Sequence, residues 1–147
     1  MYFATDDMFL NVLARHVKPG GLVAIAGAGF TQEIEGPVPE HLRQWWTQDC
    51  AWCLHSAEWW RRHWERTGIV DIDLADTMPD GWQRWLDWHK AICPDNAREI
   101  KTLDADRGNY LGYIRVIGRR RADAQLMDPI ASIPAQYTKK PLRRDSH

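Results

Sequence analysis

No stretch of this sequence is apolar for long enough to cross a bilayer. The longest such run, residues 22–28, falls far short of the roughly eighteen a spanning helix needs. Cysteine is scarce, three in 147 residues, and the odd count argues against a secreted disulfide scaffold. Net charge is only −1, so nothing drives the chain as a whole toward nucleic acid or an anionic membrane. The start, Met1-Tyr2-Phe3-Ala4-Thr5-Asp6-Asp7, has neither the basic region nor the apolar stretch of a signal peptide. These absences predict a soluble cytoplasmic protein with no nucleic-acid or membrane partner. Phenylalanine and tyrosine are sparse, at three and four. Tryptophan is abundant, at nine, and all nine lie between Trp45 and Trp88.

The length suits one domain with a real core. Thr5 is a good helix N-cap, with Asp6 and Asp7 in the electropositive first turn. Phe9, Val12, Leu13 and Val17 follow at helical spacing. Pro19-Gly20-Gly21 then stops the helix. The run at 22–28 is apolar without alternation, which predicts a strand buried on both faces, as in parallel sheets. Pro39 opens a short helix toward Trp46. Ser56 caps a longer helix with an inner stripe of Trp60, His63, Trp64 and Thr67, ended by Gly68. Val70, Ile72 and Leu74 alternate with Asp71 and Asp73, the pattern of a half-exposed strand.

Asp80 caps a helix carrying Trp82, Trp85, Trp88, His89 and Ile92. Pro94-Asp95 leads into another, with Ile100 and Leu103 inward and an end at Gly108. Residues 110–118 form the last strand. From Arg119 on, seven Lys/Arg against three Asp give a net charge of +4, with three prolines and few large apolar residues. That composition predicts a disordered basic tail over 121–147. The order of elements predicts an α/β layer structure.

Several segments in sequence resemble the C-terminal half of a class I S-adenosylmethionine (SAM)-dependent methyltransferase. They are the entry at Tyr2-Phe3-Ala4-Thr5-Asp6-Asp7, the turn Lys18-Pro19-Gly20-Gly21, and Ser56-Ala57-Glu58-Trp59-Trp60 leading to Thr67-Gly68-Ile69-Val70. The closing strand Tyr113-Ile114-Arg115-Val116-Ile117-Gly118 completes the set. The resemblance is to the small-molecule, cyclopropane-fatty-acid-synthase-like type, and covers residues 1–120. It implies a partial Rossmann-like sheet whose three strands are the family's fifth, sixth and seventh, the seventh antiparallel between the other two, with helical insertions that build the acceptor pocket. It implies methyl transfer from SAM to a small acceptor. It also places Tyr2 and Phe3 near the methionine end of SAM. The family's glycine-rich SAM loop and its ribose-binding acid have no counterpart in these residues. The resemblance thus implies a truncated acceptor half, inactive alone, that needs a front half. The alternative is a non-catalytic module that dimerises or recruits a partner through the unpaired apolar strand at 22–28.

Within that frame, Trp45, Trp46 and Trp52 in one insertion and Trp82 and Trp85 in the other are candidate substrate-binding residues, since indole faces suit flat or methylammonium ligands. Core packing is the competing role, and for Trp60 and Trp64 the expected one. Glu33, Glu35 and His55 are the candidates for acceptor binding or proton removal, with His55 the better base because imidazole titrates near neutrality. Their plainer role is that of solvated loop residues. Gly27-Ala28-Gly29 falls short of a dinucleotide loop, because Gln32 stands at the third glycine position. Cys50-x-x-Cys53, with His55, His89 and Cys93 as further ligands, offers a zinc site only in outline, and no metal is expected. Arg119-Arg120-Arg121 reads as a solubilising strand end.

Overall fold

The computed structural model describes residues 5–47, 51 and 53–127. Its elements are α1 (Asp7–Ala14), β1 (Leu22–Phe30), α2 (Ala57–Glu65), β2 (Val70–Thr77), α3 (Gly81–Ile92), α4 (Ala97–Asp106) and β3 (Leu111–Arg120), with a 3-10 turn at Glu40–Leu42. The fold is mixed α/β.

Local chemistry sets the boundaries. Asp6, one residue after the expected Thr5, caps α1: its carboxylate accepts the Met8 N–H at 2.7 Å. A carboxylate beside the electropositive helix start satisfies an orphan donor and the dipole together. Ser56 caps α2 as expected, its hydroxyl accepting the Trp59 N–H at 3.2 Å. The helix α3 has no side-chain cap. Asp80 precedes it in a left-handed conformation, φ 55°, so Asp80 marks the start without capping it. The turn after α4 needs two left-handed residues, Arg107 and Gly108. A Cβ on Gly108 would also stand 2.4 Å from the Trp82 ring, so only glycine fits there.

The sheet has the order β1-β3-β2. β3 runs antiparallel to both neighbours, so β1 and β2 point the same way. A bulge at Asp73 interrupts the β2–β3 register between Ile72 and Leu74. Every strand pairing among the described residues is antiparallel, apart from one isolated bridge between Phe30 and Ser56. The parallel, doubly buried strand expected at 22–28 is therefore not what forms. Val23 is buried, but Leu22, Ala24 and Ala26 are exposed. The reason is coverage. One sheet face carries helices along its length, and the other is covered only at one end.

The covered face presents Val23, Ile114 and Val116 to Leu10 and Ala14 of α1 and to Trp60 and Trp64 of α2. Both indoles are essentially inaccessible. Burying roughly 150–250 Å² per indole at about 25 cal/mol per Å² gives roughly 4–6 kcal/mol each before ordering costs. Gly118 makes room for this, since a Cβ there would meet Val70 at 2.9 Å and the Trp64 ring at 3.4 Å. α1 turns inward through Leu10, Asn11 and Ala14, and Val12, expected inside, is exposed. On the other face α3 and α4 cover the end of the sheet at Phe30 and Leu111 with Trp85, Leu86 and Leu103. α3 is rotated from the expected stripe: Gly81, Trp85, Leu86 and His89 are buried, whereas Trp88 and Ile92 are exposed. The approach of Gly81 to Tyr113, where a Cβ would sit 2.9 Å from the Tyr113 Cβ, fixes that rotation.

The uncovered part of the second face carries ion pairs instead of a helix. Arg115 holds Asp76 with two bonds of 2.6 and 2.7 Å, and Arg119 meets Asp73 at 2.8 Å. The Arg115 hydrogen bond holds the Asp76 carboxyl below its ordinary 3.8. Order continues past residue 120. Arg121 N–H donates to Ile69 O, and Asn11 binds Met127 through both its side-chain oxygen and nitrogen. The packed chain thus overruns the expected boundary at 120 by seven residues, 121–127. The remainder of the expected tail lies outside the described residues. Among the described residues, no helix is long and apolar enough to cross a membrane.

Candidate functional site

Two of the three predicted polar residues meet where β1 ends. Beyond Phe30 the chain is pinned by Thr31, whose N–H donates to Tyr110 O at 2.8 Å and whose hydroxyl donates to Asn109 O at 2.7 Å. That exit turns Glu33 toward the segment entering α2. One Glu33 oxygen accepts the Ser56 N–H at 2.6 Å, and the other lies 3.3 Å from His55 Nδ1. The His55 carbonyl accepts the Phe30 N–H at 3.2 Å. Gly29 permits that approach, because a Cβ there would stand 2.7 Å from the His55 oxygen.

The His55 ring is fixed on its flat side as well. It stacks on Trp59, centroids 3.7 Å apart and planes 8° apart, with Trp60 edge-on at 6.3 Å. Trp59 stacks in turn on His63 at 4.6 Å, and Arg66 donates to His63 Nδ1 at 3.0 Å. Proton positions follow from the partners. A carboxylate only accepts, so His55 carries its proton on Nδ1 and the neutral ring keeps Nε2 as acceptor. A guanidinium only donates, so His63 Nδ1 is an acceptor. With Glu33 holding the Nδ1 side, His55 Nε2 is left able to accept a hydrogen bond from a group placed there. The His55 side chain is 21% exposed and Glu33 30%, so the pair is sheltered but reachable. A cleft of about 270 Å³ lies beside the stack, lined by Trp59, Arg62, His63 and Arg66.

Glu35 is exposed, and no hydrogen bond among the described residues ties it to this pair. The described tryptophans of the expected acceptor pocket pack as core. Trp45 and Trp85 meet edge to face, Trp46 stacks on Phe30 at 5.4 Å, and Trp82 lies against Gly108. Together they enclose Leu42, Leu86, Leu103 and Leu111. They sit there because the open sheet end needs large apolar groups to close it. Trp52, Tyr2, Phe3 and Cys50 lie outside the described residues. Cys53 is buried and Cys93 half-buried. Among the described residues, no three His, Cys, Asp or Glu side chains stand together as metal ligands.

Two further polar centres are absent from the sequence-based expectations. Asp106, fully buried, accepts N–H bonds from Leu111 at 2.8 Å and Tyr110 at 3.1 Å, and lies 2.8 Å from His41 Nε2. Glu99 accepts the Trp45 indole N–H at 2.6 Å and lies 3.7 Å from His89 Nε2. Asp106 at a helix end, five residues before a strand, was a weak local signal. Its partner His41 is 65 residues away in sequence and carried none. No family model matches the chain, and no curated protein matches it.

Proposed function

We propose that this chain is the acceptor-side half of a SAM-dependent methyltransferase of class I, with His55 as the proton acceptor and Glu33 holding it. One observation carries the reading. The strand order is β1-β3-β2, and the last strand is inserted antiparallel between two that run the same way. That is the arrangement the resemblance implies for the family's fifth, seventh and sixth strands. The position of the His55–Glu33 pair supports it: the pair sits past the carboxyl end of β1, the side on which open α/β sheets collect their ligands. The three-fold fixing of His55, by Glu33, by Trp59 and by its own carbonyl, is what a base that must keep one orientation needs.

The residues described here do not fit SAM by themselves. Gly27-Ala28-Gly29 lies inside β1, and Gly29 is sealed by the His55 carbonyl and Ile114, so these glycines cannot cradle a phosphate or ribose. The chain's share of the work is to orient an acceptor and to remove its proton at His55 Nε2. Calorimetric titration of the 147-residue chain with SAM tests this. No binding is expected in the micromolar range. Fusion behind a class I glycine-rich half is expected to restore it. In that fusion, His55→Gln should lower transfer to a protic acceptor by about 10²–10⁴ and leave SAM affinity unchanged. Micromolar SAM binding by the chain alone, or a folded fusion that binds none, refutes the reading.

A further inference from the structure

Among the described residues, β1 is paired with β3 along one side and, on the other, only at Phe30. Alternation fixes which backbone groups face outward. Thr31 N–H bonds to Tyr110 O, and Gly21 O accepts from Arg120 N–H, both on β3 or its extension. The odd residues between them therefore point to β3 and the even ones point away. The outward N–H of Phe30 is used by the His55 carbonyl. Leu22, Ala24, Ala26 and Ala28 form the unpaired edge. It carries no charge and no proline, and its register with β3 is unbroken. Those are the devices by which edge strands ordinarily avoid partners, and none is present.

We propose that this edge pairs with the same edge of a second copy, antiparallel about a two-fold axis at Ile25, so that two three-stranded sheets join as one of six strands. The register follows from the fold. The His55 carbonyl closes the edge at Phe30, so pairing ends at Ala28. Centring on Ile25 then sets Leu22 against Ala28 of the second copy and Ala24 against Ala26, which uses every outward residue. Alanine at three of the four positions sets no bulky or charged side chain opposite its mate across the new pair. Charge favours the same direction. The segment entering β1 is basic, with Arg15 and Lys18 exposed, and the segment leaving it is acidic, with Glu33 and Glu35. The two-fold sets the basic entry of each copy beside the acidic exit of the other. Among the described residues Arg15, Lys18 and Glu35 have no ion pair to break first. This assignment does not rest on the methyltransferase reading. A parallel strand from a front half would compete for the same edge.

Light scattering on the 147-residue chain at micromolar concentrations tests it. The expected mass is twice the 17.1 kDa of one chain. Ala26→Pro removes an outward donor and leaves the β1–β3 ladder intact, so it should yield a folded monomer. Arg15→Glu should weaken the dimer about tenfold, two exposed pairs being reversed at once, and Arg15→Glu with Glu35→Arg should restore it. Circular dichroism checks folding, and if Ala26→Pro fails to fold, the charge pair decides. A monomer at every concentration overturns the proposal, as does a dimer indifferent to Arg15→Glu. A dimer that a folded Ala26→Pro leaves intact also overturns it.

Discussion

Asp106 should be the most costly polar residue to remove. It is fully buried, and its carboxylate is the acceptor for the first two N–H groups of the segment that becomes β3. In Asp106→Ala the Leu111 N–H stays buried with no acceptor, which costs about 1–3 kcal/mol. The half-exposed Tyr110 N–H and the charge-assisted contact with His41 add about 1 kcal/mol each. The sum, about 3–5 kcal/mol, is a large fraction of the 5–15 kcal/mol that holds a typical domain. Asp106→Asn keeps the volume and one acceptor oxygen and should cost roughly half as much. His41→Ala should cost only about 1 kcal/mol, because that side chain is partly solvated. Urea unfolding followed by tryptophan emission measures all three, with the slope unchanged if only stability moves. An Asp106→Ala midpoint within about 1 kcal/mol of the parent refutes the accounting. So would a His41→Ala loss equal to that of Asp106→Ala, since the weight would then lie on the imidazole and not on the strand amides.

Trp60→Ala should destabilise by about 3–5 kcal/mol, the range for an aromatic emptied from a core, and the same unfolding assay reads it. Gly29→Ala should destabilise by about 1–3 kcal/mol and displace His55, since the new methyl meets a backbone oxygen and the Ile114 side chain; a shift of the His55 ring resonances by NMR would show it, and an unchanged His55 environment would contradict the packing. Arg115 holds the Asp76 carboxyl below 3.8, so the stability this pair gives is complete above pH 3.8 and is lost as pH falls through the lowered folded value. Asp76→Asn should therefore flatten the acid limb of the stability curve, and parallel curves for the two proteins would remove the pair from the balance.

The elements were largely legible because their signals are local. Ser56 before an apolar stripe, glycine after α2 and the Asp-alternated strand at β2 each state their own structure. What failed depends on surroundings. Nothing local distinguishes alanines on a buried strand from alanines on an uncovered one, so β1 read as buried on both faces. The stripe Trp82, Trp85, Trp88, Ile92 is a fair helical face, but contact of Gly81 with Tyr113 rotates α3 by about a residue. The candidate site divided in the same way. Glu33 and His55 were named from residue type, and the fold brings them together across 22 residues. Glu35 had the same local credentials and stays in solvent. The described tryptophans of the expected pocket pack around Leu42, Leu86, Leu103 and Leu111, a neighbourhood that composition alone does not state. The Asp106–His41 and Glu99–Trp45 contacts join distant segments and had no sequence signature.

The central strand is also the last of the three described strands to be synthesised. Among the described residues β1 and β2 form no ladder with each other; each pairs with β3, and about eighty residues separate the end of β1 from that partner. At ribosomal speeds of about 5–20 residues per second, that interval is on the order of ten seconds. Throughout it a nine-residue uncharged strand waits for the strand it pairs with along its length. The nascent polypeptide should therefore depend on a holding chaperone until residue 120 has emerged, and yields of the intact fold should rise when translation beyond β1 is fast.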